Sequence, residues 1–247
     1  MNNIAIIGSA GVPSRYGGFE TLVHHLVEHL AEKHKISVYC SKHLYQESDR
    51  KQHWKGAKLI YLPLNANGIQ SVPYDVLSIL HALIYADTLL ILGVSGCFIL
   101  PFIKLFFGQK IIVNIDGVEW KRDKWQGFAK HFLKFSEKIA VKFADTIVTE
   151  NAGIQEYVQQ EYNKESTLIA YGADHVIQNY ALKREFTDLY PFLFEEYAFK
   201  VCRIEPENNI HMILSAFSKM LDKILVIVGN WNISEYEKKN KRRIFKI

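Results

Sequence analysis

A glycine-rich loop near the N-terminus combines residue types that suit the binding of a phosphate or a sugar. Between Gly8 and Thr21 it holds four glycines together with a guanidinium, a phenol and a carboxylate. Glycine lets the backbone approach a ligand closely, and the N-terminus of a following helix offers free N–H groups to an anion. These charged and aromatic side chains exceed what a turn needs. The predicted substrate-binding residues of this loop are Gly11, Arg15, Tyr16, Gly17, Gly18 and Glu20.

The spacing of these glycines differs from that of two common nucleotide-binding loops. A dinucleotide fingerprint reads GxGxxG, whereas here the first two glycines are followed only by the Gly17-Gly18 pair. The next predicted strand ends in Cys40-Ser41, which offers no carboxylate for a ribose. The Walker pattern, GxxxxGK followed by Ser or Thr, is also absent from the loop. An NAD-dependent oxidoreductase is therefore disfavoured, although it stays an alternative.

A second polar cluster follows a predicted strand in the middle of the chain. Asp116 and Glu119 are the predicted catalytic residues, because a carboxylate there can orient or deprotonate an acceptor hydroxyl. Trp120 can stack on a sugar ring, Arg122 can meet a phosphate, and Gly117 joins them as a predicted binding residue. The structural alternative is a polar loop around a packed tryptophan.

The segment after this loop is strongly basic. From Trp120 to Ala144 there are seven basic and two acidic residues, and lysines recur every four residues from Lys130. Phenylalanines fill another face of the same predicted helix, a pattern typical of helices that lie on anionic lipid. We predict a peripheral membrane contact through residues 121–142, and the alternative is a core-facing helix with a solvated lysine face. Glu137 is expected to pair with a lysine.

The elements that position these residues alternate between strand and helix. Short apolar runs typical of buried parallel strands are separated by helical stripes of apolar residues. This order predicts an α/β doubly wound sheet, with the loops after the strands at one edge. The predicted strands are Asn3–Ile7, Ile36–Cys40, Lys58–Leu62, Thr88–Leu92, Lys110–Ile115, Thr146–Thr149 and Thr167–Ala170.

A second unit of the same kind begins after a weakly periodic stretch. It has a predicted strand at Tyr197–Val201, a helix at Asn208–Met220 and a strand at Ile224–Val228. We therefore divide the chain into a complete domain (1–185), an incomplete one (186–237) and a basic tail (238–247). That tail carries the whole positive balance, since the net charge of +4 becomes 24 − 26 = −2 for residues 1–237.

Composition narrows the class of protein. A basic balance confined to a tail is poor support for nucleic-acid binding, so no nucleic-acid partner is expected. The three cysteines are far apart and show no CxxC spacing, which disfavours a zinc site or a disulfide framework and suits the cytoplasm. The most apolar of the long charge-free runs, between Asp87 and Lys104, is interrupted by glycines and a proline, and we expect no spanning helix.

The sequence resembles a branch of the family 4 glycosyltransferases, the bacterial rhamnosyltransferase-like enzymes of surface polysaccharide synthesis. The most specific match is the string YGGFET inside the glycine loop, and the similarity extends to about Tyr236. The matching segments are Gly8–Thr21, Asn114–Arg122 with Lys124-Trp125, Thr149–Gly153, Ala170–Asp174 and Arg203–Asn209.

The resemblance implies a GT-B enzyme with two Rossmann-like domains. The N-terminal domain would receive a saccharide or polyprenyl-linked acceptor, and the C-terminal domain would hold a nucleotide-sugar, with dTDP-rhamnose as the donor. It implies transfer with retention of configuration, and no metal or other cofactor. In the wider family an arginine and a lysine neutralise the donor diphosphate, and these positions are Arg203 and Asn208 here. Cys202 occupies a position that is commonly glycine.

The family pattern breaks off after Gly229. Family 4 enzymes carry a pair of glutamates late in the C-terminal domain that hold the donor, and no later segment matches it. We therefore expect a C-terminally truncated chain. Two hypotheses follow: a glycosyltransferase, active if the missing part is supplied, or a non-catalytic remnant or acceptor-binding module without a donor site. Either protein is expected in the cytoplasm, with the membrane contact at the inner face of the plasma membrane.

Overall fold

The computed structural model describes residues 1–15, 17–115, 117–122, 125–174, 184–220, 222–231 and 235–244. The chain divides into two compact units. The first unit comprises residues 1–121 and 125–172, and the second comprises residues 122–124 and 173–247.

An eight-stranded sheet forms the centre of the first unit. Its order is β3-β4-β2-β1-β5-β6-β7-β8, and all neighbours are parallel except the β3–β4 pair. The strands are β1 (Asn3–Ile7), β2 (Lys35–Ser41), β3 (His53–Trp54), β4 (Ala57–Leu62), β5 (Thr88–Leu92), β6 (Lys110–Ile115), β7 (Thr146–Thr149) and β8 (Thr167–Leu168).

Five helices connect these strands in the alternation that the sequence predicts. They are α1 (Gly18–Leu30), α2 (Ser71–Ala82), α3 (Leu100–Phe106), α4 (Gly127–Phe143) and α5 (Ala152–Tyr162). The first turn of α5 is capped by Asn151, whose side-chain oxygen accepts a hydrogen bond from the N–H of Ile154 at 3.0 Å.

Buried side chains lie on both faces of this sheet. Along β1, Ala5 and Ile7 belong to one apolar cluster and Ile6 to the other, because successive strand residues point to opposite faces. The first cluster includes Leu100 of α3 and Ala140 of α4. The second includes residues of α1 and β2. A parallel sheet covered on both faces is the doubly wound architecture predicted from the sequence.

The second unit has a two-stranded parallel sheet and three helices among the described residues. Its elements are α6 (Arg184–Leu189), β9 (Tyr197–Val201), α7 (Ile210–Phe217), β10 (Ile224–Val228) and α8 (Glu235–Ile244). A small core of Ile204, Ile210 and Leu214 packs against partly buried residues, including Tyr236 of α8.

Most strand bounds agree with the sequence-based expectation. The bounds of β1, β5, β6, β7, β9 and β10 are the predicted ones. The two-residue β3 was not predicted, since a run of that length has no periodicity. The amphipathic helix α8 was not predicted either, and it buries Glu237 and Asn240. Within the part of the chain that the structure describes, every helix is too short or too polar to cross a lipid bilayer.

Candidate functional site

The carboxyl ends of β1 and β5 are the expected place for a ligand in the first unit. The chain runs from β1 to β2 on one side and from β5 to β6 on the other, so the connections after these two strands leave in opposite directions. Doubly wound sheets bind ligands outside such a switch point. The loops after β1 and β5 begin at Gly8 and Gly93, so the glycine loop predicted from the sequence lies at this edge.

Gly8 joins the two strands closely at the switch point. Its φ is +95°, and a Cβ built there would lie 2.0 Å from the carbonyl oxygen of Leu92, the last residue of β5. A side chain at this position would therefore clash with the backbone of β5. It would also require a positive φ, which L-residues rarely adopt. The loop can begin in this way only because position 8 is glycine.

Glu20 ties the glycine loop to the first turn of α1. Its carboxylate is buried and accepts a hydrogen bond from the N–H of Ala10 at 2.7 Å. Gly17, with a φ of +124°, precedes the helix, and a Cβ there would lie 2.0 Å from Glu20 Oε2. A negative charge at a helix N-terminus is favourable. Glu20 therefore shapes the loop, and whether it also contacts substrate stays a prediction.

The predicted anion-binding arginine has partners within the protein. Arg15 Nη2 lies 2.5 Å from the Asp49 carboxylate, and its Nη1 donates to the carbonyl of Leu44 at 3.1 Å. The guanidinium also lies 4.9 Å from the ring centroid of Tyr45. Arg15 therefore fastens the glycine loop to the segment after β2, and a role in substrate binding would require the pair with Asp49 to open.

The other predicted residues of this loop differ in their surroundings. Gly11 is buried, and a Cβ there would lie 2.7 Å from Cys40 Sγ, so packing alone requires glycine. Gly18 opens α1 with open space around its Cα. Tyr16 lies outside the described residues.

The loop after β6 carries the predicted catalytic carboxylates. Asp116 lies outside the described residues. Gly117 has a φ of +135° and open space where a Cβ would stand. Glu119 Oε1 accepts a hydrogen bond from Trp125 Nε1 at 2.9 Å, which fixes the direction of this carboxylate. Glu119 is therefore an oriented carboxylate at the carboxyl end of a central strand.

A buried carboxylate of α4 holds the neighbouring tryptophan. Glu137 is fully buried, and its Oε1 accepts hydrogen bonds from Tyr157 at 2.6 Å, Tyr162 at 2.5 Å and Trp120 Nε1 at 3.4 Å. The expected pairing of Glu137 with a lysine was wrong. A glutamate among lysines indicates a surface ion pair, and nothing local in the sequence shows that two tyrosines of α5 reach it.

The two phenols stay protonated around this carboxylate. Burial, followed by the hydrogen bond to Glu137, raises the pKa of Tyr157 to about 12. The same two causes raise the pKa of Tyr162 well above its ordinary value. Both groups therefore remain donors at any physiological pH.

Lysines surround the ring of Trp120. The Nζ atoms of Lys134, Lys121 and Lys130 lie 4.6, 5.3 and 5.7 Å from a ring centroid of this tryptophan. Lys134 also pairs with Glu161 at 2.9 Å. These ammonium groups are attracted to the aromatic face, and they make the surroundings of Trp120 cationic.

Several buried polar atoms near the carboxyl ends of the strands have no hydrogen-bond partner among the described residues. They are Ser9 Oγ after β1, Asn114 Oδ1 on β6 and Glu150 Oε2 after β7. Buried polar atoms are usually satisfied, so unpaired ones mark places where a ligand or water completes the bonding. No role was predicted for these residues, although each lies within two positions of the end of a predicted strand.

The predicted donor residues lie together in the second unit. Arg203 faces Glu205, with a nitrogen-to-oxygen distance of 3.5 Å, and Asn208 Nδ2 donates to the carbonyl of Arg203 at 2.8 Å. Arg122 belongs to the same unit and bonds Glu205 at 2.8 Å and Glu207 at 3.0 Å. The predicted phosphate contact of Arg122 therefore competes with two carboxylates.

Among the described residues, no three His, Cys, Asp or Glu side chains are grouped so as to hold a metal ion.

Three solved structures of glycosyltransferases have folds similar to that of this chain. Sucrose-phosphate synthase from Thermosynechococcus elongatus matches all of this chain and 67% of its own, with a TM-score of 0.76 and 15% identity. Anabaena HepE, solved in complex with UDP and glucose, matches all of this chain and 66% of its own, with a TM-score of 0.64 and 12% identity. Arabidopsis thaliana UGT89C1 complexed with UDP matches 93% of this chain and 65% of its own, with a TM-score of 0.50 and 10% identity.

These likenesses confirm the predicted fold class, a GT-B type α/β protein. The chain spans about two thirds of the length of these structures. No protein of curated function matches it in sequence. A family profile described as a domain of unknown function, DUF1972, matches residues 1–174, which include the glycine loop, the loop after β6 and the whole eight-stranded sheet. The chain therefore belongs to the DUF1972 family.

Proposed function

We propose that this protein is a glycosyltransferase that moves rhamnose from dTDP-rhamnose to a saccharide or polyprenyl-linked acceptor in surface polysaccharide synthesis. The observation that carries the proposal is the glycine loop at the switch point of a GT-B type fold. HepE, one of the proteins of similar fold, is described in complex with UDP and glucose, which supports a nucleotide-sugar donor. The choice of rhamnose rests on the resemblance to the rhamnosyltransferase-like branch.

Acceptor chemistry is assigned to the loop after β6. Glu119 is a carboxylate whose direction is set by Trp125, so it can accept a hydrogen bond from an acceptor hydroxyl and orient that oxygen. Asp116, the residue that follows β6 in the sequence, is the second candidate for this role. Trp120 is held by Glu137 and offers a rigid aromatic surface for a sugar ring. A fixed side chain loses little entropy when the substrate binds.

Donor chemistry is assigned to the second unit. Arg203 carries a guanidinium beside the carboxylate of Glu205, and Asn208 holds the carbonyl of Arg203 in place. A cation near a departing diphosphate stabilises the charge that develops there, without a metal ion. We place the enzyme in the cytoplasm, at the inner face of the plasma membrane, where a polyprenyl-linked acceptor is within reach.

Transfer and binding by the purified full chain test this proposal. We expect turnover of dTDP-rhamnose with a polyprenyl-diphosphate-linked saccharide, and Glu119→Gln should lower kcat at least about a hundredfold, the usual contribution of a positioned general base. Glu156→Gln, on the exposed side of α5, is the matched control and should keep parental activity. Parental turnover in Glu119→Gln would contradict the assigned role.

An acceptor-binding module without catalysis is the second candidate. It is favoured by the second unit, whose sheet has two strands among the described residues. Binding of the lipid-linked saccharide without turnover, and without measurable dTDP-rhamnose binding at millimolar concentration, would support the module and reject the transferase.

A further inference from the structure

Aromatic side chains are concentrated on the outer surface of α3 and α4. Phe128 is 86% exposed and Leu105 is 74% exposed, values that are unusual for large apolar residues of a folded protein. The exposed apolar residues of these two helices are Phe102, Leu105, Phe106, Phe128 and Phe135, followed by Phe107 after the end of α3.

Ring contacts connect these residues along each helix. Phe102 and Phe106 of α3 have ring centroids 4.7 Å apart, and Phe128 and Phe132 of α4 stack at 6.4 Å. Phe98, in the turn before α3, meets Phe132 at 5.3 Å, which joins the two helices. The exposed rings therefore form clusters on two helices that contact each other.

The charge on this side of α4 is positive. Phe128, His131, Phe135, Lys138 and Lys142 repeat at intervals of three and four residues, so they share the face opposite the buried one. No acidic residue is in this stripe. Beside α3, the carboxylate of Asp145 accepts hydrogen bonds from Lys104 Nζ at 2.6 Å.

This arrangement revises the basic stripe predicted from the sequence. Lys130 and Lys134 turn toward Trp120, and Lys134 pairs with Glu161, so these two lie on the flank of α4 next to α5. The lysines that accompany the exposed rings are Lys138 and Lys142. The resulting surface, called the aromatic face below, comprises Phe102, Leu105, Phe106, Phe128, Phe135, Lys138 and Lys142.

We propose that the aromatic face docks onto an anionic lipid bilayer, with its phenylalanines in the interfacial region and its lysines at the lipid phosphates. Contiguous exposed apolar surface marks a binding face, and the lysines select a partner with negative charge. An amphipathic helix with aromatics beside lysines is the form that binds an anionic membrane surface. The inference deepens the proposed function, whose acceptor is lipid-linked, but vesicle binding can be measured without any sugar transfer.

Co-sedimentation of the full chain with vesicles tests the docking surface. Vesicles of phosphatidylcholine alone are compared with vesicles that contain equal parts of phosphatidylglycerol, at low and high salt. The variants are Phe102→Ser with Phe106→Ser, Phe128→Ser with Phe135→Ser, and Lys138→Gln with Lys142→Gln. The matched control is Ile69→Ser, since this isoleucine is 83% exposed and belongs to neither α3 nor α4.

We expect the parent to bind the anionic vesicles and to be released by salt. The variant Lys138→Gln with Lys142→Gln should bind at least about tenfold more weakly, because each lysine near an anionic surface contributes to the attraction. Each phenylalanine pair should weaken binding to a similar extent, whereas the isoleucine control should bind as the parent does. All changed residues are exposed, so an unaltered far-ultraviolet spectrum is expected of every variant.

Three results would overturn the proposal. The parent could fail to bind anionic vesicles, or the isoleucine control could lose as much affinity as the phenylalanine pairs. Analytical ultracentrifugation could also show a parent dimer that Phe128→Ser with Phe135→Ser dissociates while vesicles remain unbound, which would assign the face to a second copy. A loss of vesicle binding has no bearing on turnover of a detergent-dispersed acceptor, so the two proposals fail separately.

Discussion

The two units use the same strand–helix–strand plan and differ in how completely their sheets are buried. In the first unit, two large apolar clusters cover the faces of the sheet, and the strand residues Ala5, Ile7, Leu89 and Ile111 are fully buried. In the second unit, three residues form the buried core, while Phe199 and Val201 of β9 are exposed. Burial of apolar surface is the main source of stability. We therefore expect the first unit to be stabilised by its own core and the second unit to be only marginally stable.

Hydrogen exchange gives the largest expected difference between the units. The central amides of β1 and β5 should exchange at least about a thousandfold more slowly than those of β9 and β10, because core strands open only by global unfolding, at roughly 5 kcal/mol or more. Mass spectrometry of peptic fragments measures both regions in one sample. Equal protection in the two sheets would refute the comparison.

Substitution of two glycines that follow corresponding strands also tests the difference in stability between the units. Gly8 follows β1, and Gly229 follows β10, where a Cβ would lie 2.5 Å from the carbonyl oxygen of Cys202. Gly8→Ala should lower the free energy of unfolding of the first unit by about 3 kcal/mol, from backbone strain and the clash with Leu92. Gly229→Ala should leave that transition unchanged, as followed by urea denaturation monitored at the first unit.

Gly18→Ala is the matched control for this prediction, because open space surrounds that position. A loss of stability as large in Gly18→Ala as in Gly8→Ala would mean that the close approach to Leu92 is unimportant.

A buried acid gives the smallest expected effect and a pH dependence. Burial raises the pKa of Asp75 well above the ordinary value of an aspartate, and Oδ1 has no hydrogen-bond partner among the described residues. The folded protein therefore keeps a proton that the unfolded chain releases, and the stability of the first unit falls as pH rises above about 4. Asp75→Asn should raise the free energy of unfolding at pH 7 by about 1 kcal/mol and have little effect near pH 3.

The control for this substitution is Asp222→Asn in the second unit, whose carboxylate is exposed. Thermal melts at both pH values measure the two variants against the parent. A gain for Asp75→Asn that is the same at pH 3 and pH 7 would show that titration of this carboxyl has no part in it.

Apolar periodicity was sufficient to predict the α/β class and the position of the glycine loop. A short, nearly continuous apolar run such as Lys110–Ile115 is typical of a buried parallel strand. The polar residues on either side of the run therefore predict where the strand begins and ends. Contacts between distant residues were not predictable in this way. Arg15 meets Asp49 and Glu137 meets Tyr157 only after the sheet has formed, and no spacing along the chain records either pair.

The positions of the two candidate loops were predicted more accurately than the contacts of their side chains. The loops after β1 and β6 are at the expected edge, since parallel strands in one sheet all end there. The state of each side chain depends on its neighbours: Glu20 is buried against a backbone N–H, and Trp120 donates to a buried carboxylate. From their charge and aromatic character alone, Glu20 and Trp120 would both be expected to face a ligand.

The register of β9 and β10 has a consequence for handling the protein at high concentration. Ile224, Val226 and Val228 pair with Tyr197, Phe199 and Val201, so six apolar side chains share one face. In the described part of the chain no further strand covers either edge of this pair, and an exposed apolar edge is a template for pairing with another molecule. Self-association in stored samples should therefore start at the β9–β10 pair. The substitution Phe199→Lys is the simplest way to reduce it.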